Sequence, residues 1–114
     1  MEDRFLQQLK KGVLEMLVLE ALCKEASHGY GLLTRLRECS QGLFTLKEGT
    51  LYPILYRLED DGLILSRWSA GEGRAAPKKM YQVTNAGREE SRRRVAVWKE
   101  FTETVALCIP AQED

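Results

Sequence analysis

Histidine is almost absent from this 114-residue chain; His28 is the only one. A histidine-based catalytic triad or a histidine-rich metal centre is therefore hard to build. Cysteine is sparse as well. Cys23, Cys39 and Cys108 are odd in number and widely spaced, and they form no CxxC. That pattern argues against a disulfide framework or a zinc site and for reduced thiols in the core. Net charge is zero, which argues against a generic polyanion binder. Long apolar runs are missing too, because Glu, Lys or Arg interrupts them every few residues, so nothing here reads as a bilayer span. The opening MEDRFLQQLKKG lacks the apolar core of a signal peptide. These gaps lead to the expectation of a cytoplasmic protein that is not an enzyme and holds neither metal nor cofactor.

What is present is a single domain's worth of chain, 44% hydrophobic and 30% charged, enough to bury a core. Its charge is unevenly spread. Residues 1–62 carry 8 basic and 10 acidic side chains, residues 63–94 carry 8 and 3, and residues 95–114 carry 1 and 4. The third quarter is thus a basic island, suited either to phosphate contact or to an ordinary solvated face.

Helical periodicity appears first in KKGVLEMLVLEALCK, residues 10–24. Leu14, Leu17, Val18, Ala21 and Leu22 recur at i, i+3, i+4, i+7 and i+8. Phe5, Leu6 and Leu9 extend the pattern upstream. Ser27 or His28 opens a second, short helix over 29–39, which Ser40-Gln41-Gly42 stops. A third helix spans about 47–61, with Leu51, Leu55 and Leu58 inside. Pro53 is expected in its first turn, where proline is tolerated, so the helix should begin near Thr50 or slightly before it. Gly62 ends it. Residues 63–69 and 79–84 read as strands joined by a long small-residue loop carrying Arg74, Lys78 and Lys79. Thr84 caps a last helix from Asn85 to about Cys108, roughly 36 Å long. It is arginine-rich first (Arg88, Arg92, Arg93, Arg94) and apolar later, with Trp98, Phe101, Val105 and Cys108 spaced as one stripe.

The fold class is therefore mainly α with a small β-hairpin: a winged helix-turn-helix followed by a long C-terminal helix. In such modules the third helix enters the major groove and the hairpin touches the backbone beside it. That geometry selects Thr45, Lys47, Thr50, Tyr52, Tyr56 and Arg57 on or before the recognition helix, and Arg74, Lys78 and Lys79 in the wing, as the DNA-binding candidates. Lys47 and Thr50 also lie at a helix N-terminus, which favours phosphate. His28 is expected as a cap or turn residue, with a phosphate contact by His28 or Tyr30 as the alternative. Trp68 is expected to pack the wing against the body, and Arg92–Arg94 to form a solvated face. Winged helices also dock proteins, so a protein-docking adaptor that does not bind DNA is the competing reading.

The strings LKKGVLEMLVLEAL, SHGYGLLTRL, EGTLYPILYRLEDDGLI and PKKMYQVTNAGRE resemble the PadR family of bacterial transcriptional regulators over roughly residues 9–107. The third string is the most specific; His28-Gly29-Tyr30 and residues 83–87, VTNAG, support it. The resemblance implies a homodimeric repressor of nearby genes that binds a two-fold operator. It assigns residues 1–84 to the DNA-binding domain (recognition helix about 48–61, wing about 63–84), 85–109 to a dimerisation helix and 110–114 to a tail. The dimer seam would comprise Leu14, Leu17, Val18, Trp98, Phe101, Val105 and Cys108. Trp98 is also the place where a small aromatic or hydrophobic effector would stack and relieve repression. The chain departs from the family pattern where Met80-Tyr81 replaces a pair of aromatics, and where Ala75-Ala76 interrupt the basic wing.

Overall fold

The computed structural model describes residues 3–71, 73 and 75–111. Helix α1 (Arg4–Lys24) leads into a two-residue strand β1 (Ser27–His28), then α2 (Gly29–Cys39) and α3 (Glu48–Asp60). Strands β2 (Ile64–Ser69) and β3 (Lys78–Val83) follow, and α4 (Asn85–Leu107) closes the chain. The three strands form one antiparallel sheet in the order β1-β3-β2. Its register pairs Ser27 with Tyr81, Ser66 with Tyr81 and Trp68 with Lys79. The expected hairpin is therefore present, and β1 is an addition to it. Two residues carry no alternation from which a strand could be read.

Each helix boundary has a local cause. Asp3 accepts the Leu6 N–H at 2.8 Å, and Thr84 accepts the Gly87 N–H at 3.0 Å. Helix α3 ends in a left-handed turn at Gly62 (φ 74°), where Leu63 N–H returns to the Leu58 carbonyl and Gly62 N–H to Glu59. The end of α2 repeats this hydrogen-bond pattern with Gln41 (φ 53°) in the left-handed position, one residue before the glycine expected to fill it. Two arginines from other helices satisfy the last carbonyls of α1. Arg35 donates to Glu25 O and Ala21 O, and Arg88 donates to Cys23 O at 3.0 Å.

Helix α3 starts at Glu48, earlier than the position of Pro53 suggested. Pro53 is thus its sixth residue and lies inside the helix. It costs α3 the one bond that would have returned to Gly49, on a face that is exposed at both residues.

The core gathers Leu14, Val18, Leu19 and Leu22 of α1, Leu32 and Leu36 of α2, and Leu51, Ile54, Leu55 and Leu58 of α3, with Ile64 and Tyr81 of the sheet. Helix α4 contributes little to it; only Gly87 and Ser91 are buried. The second half of α4 runs off the body and gives the chain a 62 Å long axis. The radius of gyration is 16.6 Å, against about 13 Å for a compact domain of 100 residues.

Candidate nucleic-acid interface

Helix α3 buries Leu51, Ile54, Leu55 and Leu58, and this places Gly49, Pro53 and Tyr56 on its opposite, exposed side. Lys47 N-caps the helix through its backbone, without a side-chain cap bond. Lys47 and Thr50 are both exposed at this end of the helix, next to the first-turn carboxylate of Glu48; the free N–H groups there favour an anion.

On one flank of α3 lies a cleft of about 640 Å³ between the start of α2 and the wing. All four tyrosines of the chain line it, together with Trp68, Lys78, Lys79 and His28. Tyr52 forms the floor. Its hydroxyl sits against Gly29, where any Cβ would overlap it, so glycine at the start of α2 is what admits the ring. Tyr56 lies one turn further on, its ring centroid 6.3 Å from that of Tyr52. Tyr81 is buried behind them. Its hydroxyl is pushed up to about 12 by burial first, then by the nearby Tyr52, Tyr56 and Glu59. Lys79 extends over the Tyr81 ring, 5.9 Å from its centroid. No acidic side chain is found among the described residues lining this cleft. His28 caps α2 by accepting the Gly31 N–H on Nδ1 at 3.1 Å. That bond requires an unprotonated Nδ1 and leaves Nε2 as the N–H side of the neutral ring.

Residues 18–93 match the transcriptional regulator PadR-like family. The chain belongs to that family. It is 33% identical over 103 residues to the transcriptional regulator YqjI of Escherichia coli K12, covering 88% of this chain and 46% of that protein. It is 32% identical over 78 residues to the negative transcriptional regulator PadR of Bacillus subtilis, covering 68% and 42%. The chain thus spans less than half the length of either relative. Among solved structures, a PadR family transcriptional regulator from Eggerthella lenta superposes with a TM-score of 0.83 at 31% identity, covering 95% of this chain and 91% of that one. The names attached to the family and these relatives are those of regulators, not enzymes. Among the described residues, no helix is long and apolar enough to cross a membrane.

On this PadR-like chain, the residues singled out from sequence fall into separate groups. Tyr52, Tyr56, Lys78 and Lys79 come together in the cleft. Lys47 and Thr50 sit at the N-terminal end of α3, outside it. Thr45 is exposed, and its hydroxyl closes the preceding loop by donating to Gly42 O at 2.7 Å. Arg57 lies outside the cleft, one turn beyond Pro53 on the exposed side of α3. It lies five residues, about 140° of helix rotation, from Tyr52, and its Nε is 3.7 Å from Glu15 of α1. Arg74 lies outside the described residues. Trp68 was expected to pack the wing on the body, yet it is 69% exposed and lines the cleft. Tyr30, 70% exposed, lines the same cleft from the start of α2. Clustering by fold, not by spacing, brings these two aromatics to the cleft; alternation in β2 was the only signal, and it said nothing of what Trp68 faces.

The residues expected at the dimer seam divide as well. Leu14 and Val18 are spent on the chain's own core, at 7% and 0% exposure, and leave no surface for a partner. Leu17 is half-buried. Trp98, Phe101, Val105 and Cys108 are exposed, and Leu9 and Val97 line a groove with Trp98 and Phe101. The cysteines are therefore not the core thiols expected: Cys39 and Cys108 are exposed and Cys23 is half-buried, because the leucines of α1, α2 and α3 fill the core. Trp98 borders two grooves, one of about 670 Å³ between α1 and α4 and one of about 360 Å³ between α1 and the segment at Leu43 and Phe44. The arginine run is only partly solvated. Glu90 holds Arg93 and Arg94 at 2.8 and 2.6 Å, and Arg94 also approaches Glu15 at 3.8 Å. These hydrogen bonds pull the Glu90 carboxyl down to about 2.

Proposed function

We propose that this chain is a homodimeric, sequence-specific DNA-binding repressor. The observation that carries the reading is the exposed start of α3 at Lys47 and Thr50 beside a cleft of tyrosines and lysines with no acidic residue among its described lining. Phosphates of one strand would meet Lys47, Thr50 and the N–H groups at the start of α3, while Tyr56 faces the groove. The wing lysines Lys78 and Lys79 would hold the flanking backbone. Repression is supported by the B. subtilis relative, which is a negative transcriptional regulator.

Dimerisation is supported by the apolar end of α4. A monomer seldom leaves such a surface to water, and a second copy offers it a self-complementary cover through two-fold symmetry. Residues 1–84 then act as the DNA-binding unit and 85–109 as the dimer helix, and the two α3 helices lie about 34 Å apart, one turn of DNA. Trp98, bordering both grooves, is where a flat hydrophobic effector would stack.

The test is a Lys47→Ala/Thr50→Ala variant. Both side chains are exposed, so the variant keeps its fold by circular dichroism and loses most of its affinity for the DNA upstream of its own gene. A folded double variant with undiminished affinity would refute the assignment of α3, and a folded dimer with no DNA affinity would favour the adaptor.

A further inference from the structure

The cleft beside α3 has two exposed aromatic walls that the packing of the chain does not explain. Trp68 on β2 and Tyr30 on the first turn of α2 are 69% and 70% exposed. Neither fills the core, yet both line the same space. Trp68 stands opposite Lys79 in the hairpin register, so an aromatic face and an ammonium reach the cleft side by side. Tyr52 closes the floor, held in place by Gly29.

The donors suit one occupant. Indole N–H and ammonium groups donate and do not accept, and a tyrosine hydroxyl can do either. Phosphate oxygens only accept. The described lining carries no carboxylate that would repel them. An apolar ring face also suits the deoxyribose between phosphates. The cleft adjoins the recognition helix through Tyr52 and Tyr56, so a strand leaving α3 toward the wing passes through it.

We infer that Trp68 and Tyr30 clamp the sugar–phosphate backbone of one operator strand, as uncharged DNA contacts between α3 and the wing. This rests on the DNA-binding reading above and adds a site to it. Because the clamp touches backbone and not base edges, it adds affinity without sequence preference. Because neither side chain is charged, it adds no counterion release.

The experiment compares the full chain with its Trp68→Ala, Tyr30→Phe and Lys79→Ala variants on operator and unrelated duplex across a salt series. Trp68→Ala is expected to weaken both duplexes about tenfold, with the slope of log affinity against log salt unchanged. Tyr30→Phe weakens both by a smaller factor. Lys79→Ala lowers the slope by about one. DNA also quenches the tryptophan emission of the wild type, and Trp68→Phe removes that quenching. Because Trp68 is exposed, the thermal midpoint of Trp68→Ala stays within a few degrees of wild type, which separates contact from misfolding. Wild-type binding with a folded Trp68→Ala of unchanged affinity overturns the clamp and leaves the repressor reading intact. Failure of the wild type to bind any duplex overturns both.

Discussion

The two halves of α4 are made of different material and held in different ways. From Asn85 to about Val95 the helix is tied to its own chain by polar contacts. Thr84 caps it, and Arg88 reaches the Cys23 carbonyl. The Ser91 hydroxyl donates to Glu20 at 2.7 Å, and Arg94 joins Glu90 to Glu15. Beyond that point the sequence turns apolar and no residue is buried. Trp98, Phe101 and Val105 lie on one stripe and stay 41%, 60% and 40% exposed. The difference teaches that the first half sets the direction of the helix, while the second half leaves its apolar stripe uncovered by the chain itself. Hydrogen bonds orient α4 against α1, and in the proposed dimer the second copy supplies the hydrophobic burial.

The comparison can be broken most forcefully at the free half. Phe101→Glu places a carboxylate in the proposed seam, where an unpaired buried charge costs about 3–5 kcal/mol. The expected outcome is a folded monomer by analytical ultracentrifugation, with dimer affinity weakened by two orders of magnitude or more. A dimer as tight as wild type would mean that the exposed stripe is not the interface.

A smaller effect is expected in the tied half. Ser91→Ala removes the buried hydroxyl that donates to Glu20 and leaves that carboxylate short of a donor. The expected loss is about 1 kcal/mol of unfolding free energy, read by denaturant titration. The dimer constant should change little, because the contact lies within one subunit. Equal damage to both would erase the distinction between the halves.

The smallest effect concerns pH. Glu90 sits at about 2 in the folded chain, against 4.5 for the free group, because Arg93 and Arg94 donate to it. A folded value below the unfolded one means that this stabilisation is present above about pH 4.5 and is lost as pH falls toward 2. Glu90→Gln should therefore be slightly less stable than wild type at neutral pH, by less than about 1 kcal/mol since the pair is near the surface. Thermal melts of the two should converge over that acid window. A gap that persists at pH 2 would assign the effect to something other than the Glu90 charge.

Much of this architecture was readable from sequence because its signals are local. Thr84 and Gly62 mark helix ends by their own chemistry, and leucine spacing marks the inner faces of α1, α2 and α3. The failures share a cause. Leu14 and Val18 have the same 3–4 spacing as Trp98 and Phe101, yet the first pair is buried within the chain and the second is open to water. Periodicity reveals that a face is apolar, not which surface covers it. Trp68 misled in the same way, because a strand pattern cannot say that it faces an open cleft. Nor could spacing show that Glu15, 42 positions earlier, lies beside Arg57. Four tyrosines at 30, 52, 56 and 81 show no motif, and only the packing of α2, α3 and the sheet brings them together.

The central claim is that α3 and the wing form a DNA-binding face, and affinity measured against salt tests it most directly. Purified protein is titrated onto the DNA upstream of its own gene, with excess unrelated duplex present, from low to physiological salt. The account predicts a saturable complex that survives the competitor and weakens steeply as salt rises, because several cations are released from phosphate. A folded dimer that leaves that DNA unbound, or binds it with no dependence on salt, would contradict the account.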